Sequence, residues 1–300
     1  MKQKVLVIVG PTASGKSALA VVLAKVFNGE VISADSRQVY TGLDIGTGKI
    51  TKREMGGLTH HLLDVASPKK DFSAGDFLRL GSKAIADINR RRKLPVIVGG
   101  TGYYIDALVG RIMLPDVVPD EKFRASLSKK NPAQLFALLK KADPRRASSM
   151  STPSERNNRV RLIRALEIAQ AIGKSPSPKV SPSYDVLWVG IRPPLEELGR
   201  KISARLHSRI RRGMIAEARR LHAAGLSYKR MEALGLEYRS LARFLQKKIS
   251  KNEMESELQR DIRRYAKKQL AYWKRNPDIT WYKPKDKTRI PAAVRTWLRK

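Results

Sequence analysis

The 300-residue chain contains no cysteine. That excludes disulfides, cysteine-ligated zinc and a thiol nucleophile, and it suits a reducing compartment. Aromatic residues are sparse at 6%. Long apolar runs are also missing: Val5–Val9 falls far short of the roughly 20 residues that span a bilayer, and no cleavage pattern follows it. A soluble, cytoplasmic chain is expected. Acidic residues are few as well, with 27 Asp and Glu against 61 Lys and Arg, for a formal net charge of +34. Self-repulsion on that scale opposes compaction, and a polyanion such as nucleic acid is the simplest partner that would relieve it. A membrane surface or a generally basic proteome is the competing explanation.

Hydrophobic residues make up 42% of the chain and recur with clear periodicity, so a sizeable core can form. Val5–Val9 is a continuous β-branched run ending at Gly10, the pattern of a buried parallel strand. Helical spacing follows over Ser17–Phe27, then a short strand at Val31–Ser33. A helix is expected between Phe72 and Arg92, a strand over Pro95–Gly100, and a helical segment over Tyr103–Val109. This alternation predicts an α/β fold, a parallel sheet flanked by helices, whose ligands sit at the carboxyl ends of the strands. From Pro115 to Gly173 the patterns become helical, at Phe123–Leu127, Gln134–Ala142 and Val160–Ala171, and a Pro/Ser-rich loop follows over Gly173–Ser183. Val186–Ile191 reads as a returning core strand, Leu195–Leu221 and Lys251–Arg275 as long basic helices, and Trp281–Tyr282 as a last short strand. Residues 1–115 and 186–300 therefore read as one core, with 116–185 as a helical insertion.

The sharpest local pattern is Gly10-Pro11-Thr12-Ala13-Ser14-Gly15-Lys16-Ser17, a full G-x-x-x-x-G-K-[ST] between a buried strand and a helix. Its glycines let backbone amides converge on a phosphate at the helix N-terminus. Lys16 reaches the terminal phosphate oxygens, and the Ser17 hydroxyl is placed for Mg²⁺. A P-loop alone does not separate hydrolase, kinase and other phosphate chemistry. Asp35, after the second strand, lies at the mouth of the same sheet. It reads equally as a turn or N-cap residue and as a general base.

Further segments carry a resemblance. They are Asp35-Ser36-Arg37-Gln38-Val39-Tyr40 with Gly42–Lys49, His60–Asp64, Phe72–Phe77, Val98–Tyr104, Arg161–Glu167, Leu234–Arg239, and Tyr265–Leu270 with Trp273. In this order they resemble the tRNA dimethylallyltransferases (tRNA isopentenyltransferases) over nearly the whole chain. The resemblance implies a P-loop NTPase-like core with a helical tRNA-binding lobe. It further implies a monomer, in its short bacterial form, that transfers the dimethylallyl group of dimethylallyl pyrophosphate to N6 of adenosine 37, in tRNAs reading codons that start with U. On it, the P-loop and Mg²⁺ hold the pyrophosphate, Asp35 takes the proton of the adenine amine, and Thr101 lines the channel near the base. Ser36, Arg37 and Gln38 match positions around the target base in the anticodon stem-loop. Phe123 and Val160, Arg161, Leu162, Ile163 and Arg164 match tRNA contacts from the insertion. Arg205 is a candidate pyrophosphate contact, with a tRNA-backbone or solvated role equally open. Leu234–Arg239 departs from the commoner Gly-Tyr-Arg form and carries no role.

Other classes remain open at this point. A prenyltransferase acting on free AMP needs neither the insertion nor the positive field. A small-molecule kinase needs ATP and a phosphoryl acceptor, and a non-catalytic RNA-binding protein has no use for Asp35 and Thr101 in register. His60 and His61 stand in a chain with four histidines and no cysteine, a poor basis for zinc.

Overall fold

The computed structural model describes residues 2–173 and 184–300. It divides into two compact units, one of Met1–Arg111 with Pro182–Lys300, the other of Ile112–Ser181. The first unit begins with β1 (Gln3–Val9), α1 (Lys16–Val26), β2 (Gly29–Ala34), α2 (Lys52–Met55) and β3 (His60–His61). It continues with α3 (Ala74–Arg90), β4 (Leu94–Gly99) and α4 (Gly102–Leu108). The second unit holds α5 (Glu121–Ser126), α6 (Pro132–Ala142), α7 (Pro144–Ser149), α8 (Pro153–Arg156) and α9 (Arg159–Ile172). The first unit resumes with β5 (Tyr184–Ile191), α10 (Leu195–Arg211), α11 (Met214–Ala223), α12 (Tyr228–Leu234), α13 (Leu236–Leu245) and α14 (Lys251–Trp273). It ends with β6 (Thr280–Tyr282), a 3₁₀ turn at Pro284–Arg289, and α15 (Ile290–Arg299). The expected loop at 174–183 lies outside the described residues.

The sheet has six parallel strands in the order β3-β2-β4-β1-β5-β6. Alternation along β1 shows why it is apolar at every inner position. Val5, Val7 and Val9 face one layer, packing with Phe77, Ile85, Ile88 and Ile105 of α3 and α4. Leu6 and Ile8 face the other, against Leu19 and Leu23 of α1 and Ile290 and Val294 of α15. A strand with helices on both faces has no polar side, so its sequence is a run instead of an alternation. A third core joins Val39, Tyr40 and Leu43 to helices α10–α14. The second unit packs on itself through Leu127, Leu135, Leu139, Met150, Leu162 and Leu166.

The helix expected over Leu195–Leu221 is broken. It ends at Arg211, and Gly213 turns the chain at φ 98° before α11. A residue with a Cβ would be strained at that φ, so the glycine marks a corner that apolar periodicity alone does not reveal. The pair His60–His61 is a two-residue strand beside β2. Among the described residues no helix is long and apolar enough to cross a membrane.

The topology fixes where a ligand belongs. Strand β1 connects toward β2 on one side, and β4 leads to β5 on the other, while β1 and β4 are neighbours. The crevice beyond their carboxyl ends is the switch point of an open α/β sheet. The P-loop leaves β1 there, and the turn carrying Thr101 leaves β4.

Candidate active site

Register brings three loops to one level. Val9 pairs with Gly99, and Gly99 with Ala34. Gly10, Gly100 and Asp35 thus begin their loops side by side, with Gly10 and Asp35 two strand spacings apart, about 10 Å. Close approach is enforced by composition: a Cβ on Gly99 would lie 2.0 Å from the Ala34 carbonyl oxygen.

The P-loop winds through positive φ at Gly10, Ala13 and Gly15. On Gly10 a Cβ would come within 2.6 Å of the Ile191 carbonyl oxygen, so β5 closes the back of the loop. The Ser14 side chain is 1% exposed, and its hydroxyl has no partner among the described residues. Lys16 Nζ donates to the Pro11 carbonyl at 3.2 Å. Burial lowers its pKa to about 8; Asp35 opposes that shift and Arg205 adds to it. A desolvated lysine charge beside a buried hydroxyl and converging amides suits an anion.

Asp35 is held by its own backbone. Its Oδ1 accepts from the Arg37 and Gln38 amides at 2.9 and 3.3 Å, an Asx turn that leaves Oδ2 without a donor among the described residues. The turn and general-base readings are therefore compatible, one oxygen serving each. Thr101 Oγ1 accepts from the Ser36 amide at 3.0 Å, and the Tyr265 hydroxyl lies near Thr101. Burial pushes the Tyr265 phenol up, with Asp35 adding to the shift, so it remains a neutral hydroxyl.

A cleft opens at this level, its walls including Thr12, Lys16, Ser17, Asp35, Arg37, Gln38 and Tyr265, while Thr101 is not among its lining residues. Arg205 of α10 stands in the same wall and donates from Nη2 to the Gly48 carbonyl at 2.9 Å. Its charge acts on Lys16, which lines the same cleft.

The loop Gly42–Lys49 is suspended from the helical layer. Glu217, 3% exposed, accepts from the Asp44, Ile45 and Gly46 amides at 3.1, 2.7 and 2.8 Å, and from the Tyr238 hydroxyl at 2.7 Å. Arg209 donates to the Gly46 carbonyl at 2.6 Å and pairs with Glu237 at 2.9 Å. This scaffold puts Thr47 and Ile50 into the cleft wall.

Several lining residues carried no role in the sequence reading. Tyr265, Gln269, His60 and Glu237 all face the cleft. His60 Nδ1 lies 3.0 Å from the Leu58 carbonyl, which assigns it the proton and leaves Nε2 an acceptor without a partner among the described residues. Burial lowers the ring's pKa. Lys287 Nζ would lie 3.1 Å from a Cβ on Gly15, a cation brought to the cradle by the distant 3₁₀ turn. Tyr265 and Gln269 had a sequence signal, since they share a helix face and fall in a segment of the resemblance. Lys287 had none.

The residues of the second unit fare differently. Val160 is 80% exposed. Arg161 pairs with Glu155 at 3.0 Å, and Arg164 with Glu167. Phe123 and Ile163 are partly buried against that unit's core. Leu162 corrects the expectation: its side chain has no exposed surface, because it is a central residue of that core, and it offers nothing for RNA to touch.

A six-stranded parallel sheet with a P-loop at its switch point, a carboxylate across the crevice and helices on both faces defines a P-loop NTPase-like α/β protein whose cleft is built for a phosphorylated ligand. Comparison with known proteins narrows this. The family model described as IPP transferase matches residues 38–276. The tRNA dimethylallyltransferase of Leuconostoc citreum is 39% identical over 298 residues, 98% of this chain and 99% of that one. A tRNA dimethylallyltransferase 2 of Citrifermentans bemidjiense is 42% identical over 272 residues, 90% of this chain and 86% of its own length. Among solved structures, the tRNA isopentenylpyrophosphate transferase of Bacillus halodurans superposes with a TM-score of 0.75 at 35% identity, covering 99% of this chain and 97% of that one. The chain belongs to the IPP transferase family.

Proposed function

We propose that this protein transfers the dimethylallyl group of dimethylallyl pyrophosphate to N6 of adenosine 37 in tRNAs that read codons starting with U. The observation that carries the reading is that three loops begin at one level, at the carboxyl ends of adjacent strands: a phosphate cradle after β1, Asp35 after β2 and Thr101 after β4. Family membership supplies the reaction class.

In the reaction the allylic C1–O bond breaks and pyrophosphate leaves with the bonding electrons, while the N6 lone pair forms the new C–N bond. Negative charge grows on the leaving group, where the P-loop amides, Lys16 and Arg205 receive it. The exocyclic amine is a weak nucleophile because its lone pair is delocalised into the ring. Asp35 Oδ2 accepts its proton as the bond forms, while Oδ1 stays engaged with the Asx turn. Thr101, whose Oγ1 accepts from the Ser36 amide, is the residue we assign beside the target base.

Among the described residues no three His, Asp or Glu side chains form a metal cage. The cleft instead offers the Ser17 hydroxyl beside a phosphate cradle, which fits Mg²⁺, an ion that keeps water and takes most remaining ligands from phosphate. Ser17 would hold Mg²⁺ there, and the ion would supply charge neutralisation for the leaving group.

The target base sits in an anticodon loop and must be unstacked, at a cost of a few kcal/mol. The basic outer faces of α10 and α14 supply backbone attraction. Arg37 and Gln38, at the cleft, and Val160, Arg161 and Arg164, on the second unit, are the RNA contacts we assign. The protein works as a monomer in the cytoplasm, where its RNA substrate is found.

One assay tests the reading. Labelled dimethylallyl pyrophosphate is offered with an anticodon stem-loop bearing three consecutive adenosines, with AMP, and with ATP in parallel. Label should pass to the stem-loop, and Asp35→Asn should bind the RNA normally yet transfer at least a hundredfold more slowly. Transfer to AMP alone, or phosphoryl transfer from ATP, would overturn it.

A further inference from the structure

Prenyl transfer needs two reactants at a set separation, and they are held by different loops. Strand pairing ends at Val9, Gly99 and Ala34, so sheet hydrogen bonds do not control the gap between the P-loop and the Gly100–Gly102 turn. One side chain spans that gap. Gln269, 5% exposed on α14, accepts at Oε1 from the Thr12 amide at 2.8 Å and donates from Nε2 to the Gly100 carbonyl at 3.1 Å.

A primary amide suits this place because donor and acceptor branch from one carbon. A carboxylate cannot donate to Gly100, and an apolar side chain leaves a buried donor and a buried acceptor without partners. Four residues earlier, on the same helical face, the Tyr265 hydroxyl lies near Thr101. The contact is also sterically tight. A Cβ on Gly100 would lie 1.9 Å from Gln269 Nε2, and one on Gly102 would lie 2.2 Å from the Tyr272 ring. Helix α14 therefore grips the β4 turn through three consecutive contacts and reaches the P-loop through the middle one.

We propose that Gln269 is a positioning residue that sets the distance between the leaving-group cradle and the acceptor-base turn. The inference rests on the prenyl-transfer reading. The cradle itself is built from amides beyond Thr12 and from the start of α1, so pyrophosphate affinity depends little on Gln269. The rate of transfer depends on it strongly, because errors near 1 Å in reactant placement cost about a hundredfold.

The test compares wild type, Gln269→Leu and Gln269→Glu for pyrophosphate binding by calorimetry and for single-turnover transfer to the stem-loop between pH 5.5 and 8. Gln269→Leu should bind pyrophosphate within threefold of wild type and transfer 10- to 100-fold more slowly. Gln269→Glu should show a similar deficit at pH 8 that shrinks as pH falls, because a protonated glutamic acid, with its pKa raised by burial, restores both hydrogen bonds. Transfer by Gln269→Leu within twofold of wild type overturns the proposal. So does pyrophosphate binding lost in proportion to rate, or a deficit in Gln269→Glu that does not change with pH. Absence of transfer in the wild type itself would instead sink the prenyl-transfer reading, and this proposal with it.

Discussion

Lys16 gives the most quantitative test of how the cradle is built. Its pKa falls from 10.5 to about 8, chiefly through burial. At about 1.36 kcal/mol per unit, keeping this side chain charged in the empty fold costs up to about 3 kcal/mol. Lys16→Met keeps the length and removes the charge, so the ligand-free variant should be more stable than wild type at pH 7. With an unfolding entropy of about 2.1 cal/mol/K per residue, the midpoint should rise by up to about 5 °C. Below pH 8 both folded and unfolded wild type carry the proton, and the penalty is complete. Between pH 8 and 10.5 the unfolded chain binds a proton that the folded chain has released, so wild-type stability rises with pH relative to the variant. The gap should therefore close across that window. Pyrophosphate at a hundred times its dissociation constant should return about 2.7 kcal/mol to wild type and far less to the variant. Differential scanning fluorimetry at pH 7, 8.5 and 10, with and without pyrophosphate, reads all of this. A variant no more stable than wild type at pH 7, or a gap that ignores pH, would refute the claim that the cradle stores an uncompensated charge.

Three further outcomes follow from the same geometry. Glu217→Ala strips the partner from three loop amides and a buried phenol, so urea unfolding should show a loss of about 3–5 kcal/mol; a loss under about 1 kcal/mol would mean the Gly42–Lys49 loop holds itself. Burial alone would raise the pKa of Glu30, but hydrogen bonds from Arg91, His61 and Lys93 bring it down to about 2. Its stabilisation is thus present above pH 4.5 and disappears as pH falls toward 2, and a wild type that tracks Glu30→Gln between pH 5 and 2 would disprove it. Stem-loop affinity should drop linearly with log salt, with a slope of roughly −0.7 per single-stranded phosphate neutralised; a flat response in filter binding would contradict the electrostatic role given to α10 and α14.

Local physics wrote much of this protein openly into the chain. A strand covered on both faces must be apolar throughout, so Val5–Val9 declared β1 and a parallel sheet. A phosphate cradle needs backbone torsions reserved for glycine, so Gly10 and Gly15 declared the P-loop, and Lys16 and Ser17 came with it by adjacency. Asp35 and Thr101 were legible as positions at strand ends. Their partnership was not, because it depends on the register Val9–Gly99–Ala34. What tertiary structure alone decided lies across long loops of chain. Gln269 meets Thr12 across 257 residues, Arg205 meets Gly48 across 157, and Glu217 hangs a loop 171 to 173 residues away. Leu162 shows the converse, since a stretch matched to RNA contacts turned one of its side chains into core. Periodicity reports which face of an element is apolar, and motifs report what a short backbone can bind. Neither carries the distance between two elements, which is set by packing, and on that distance the chemistry of this cleft depends.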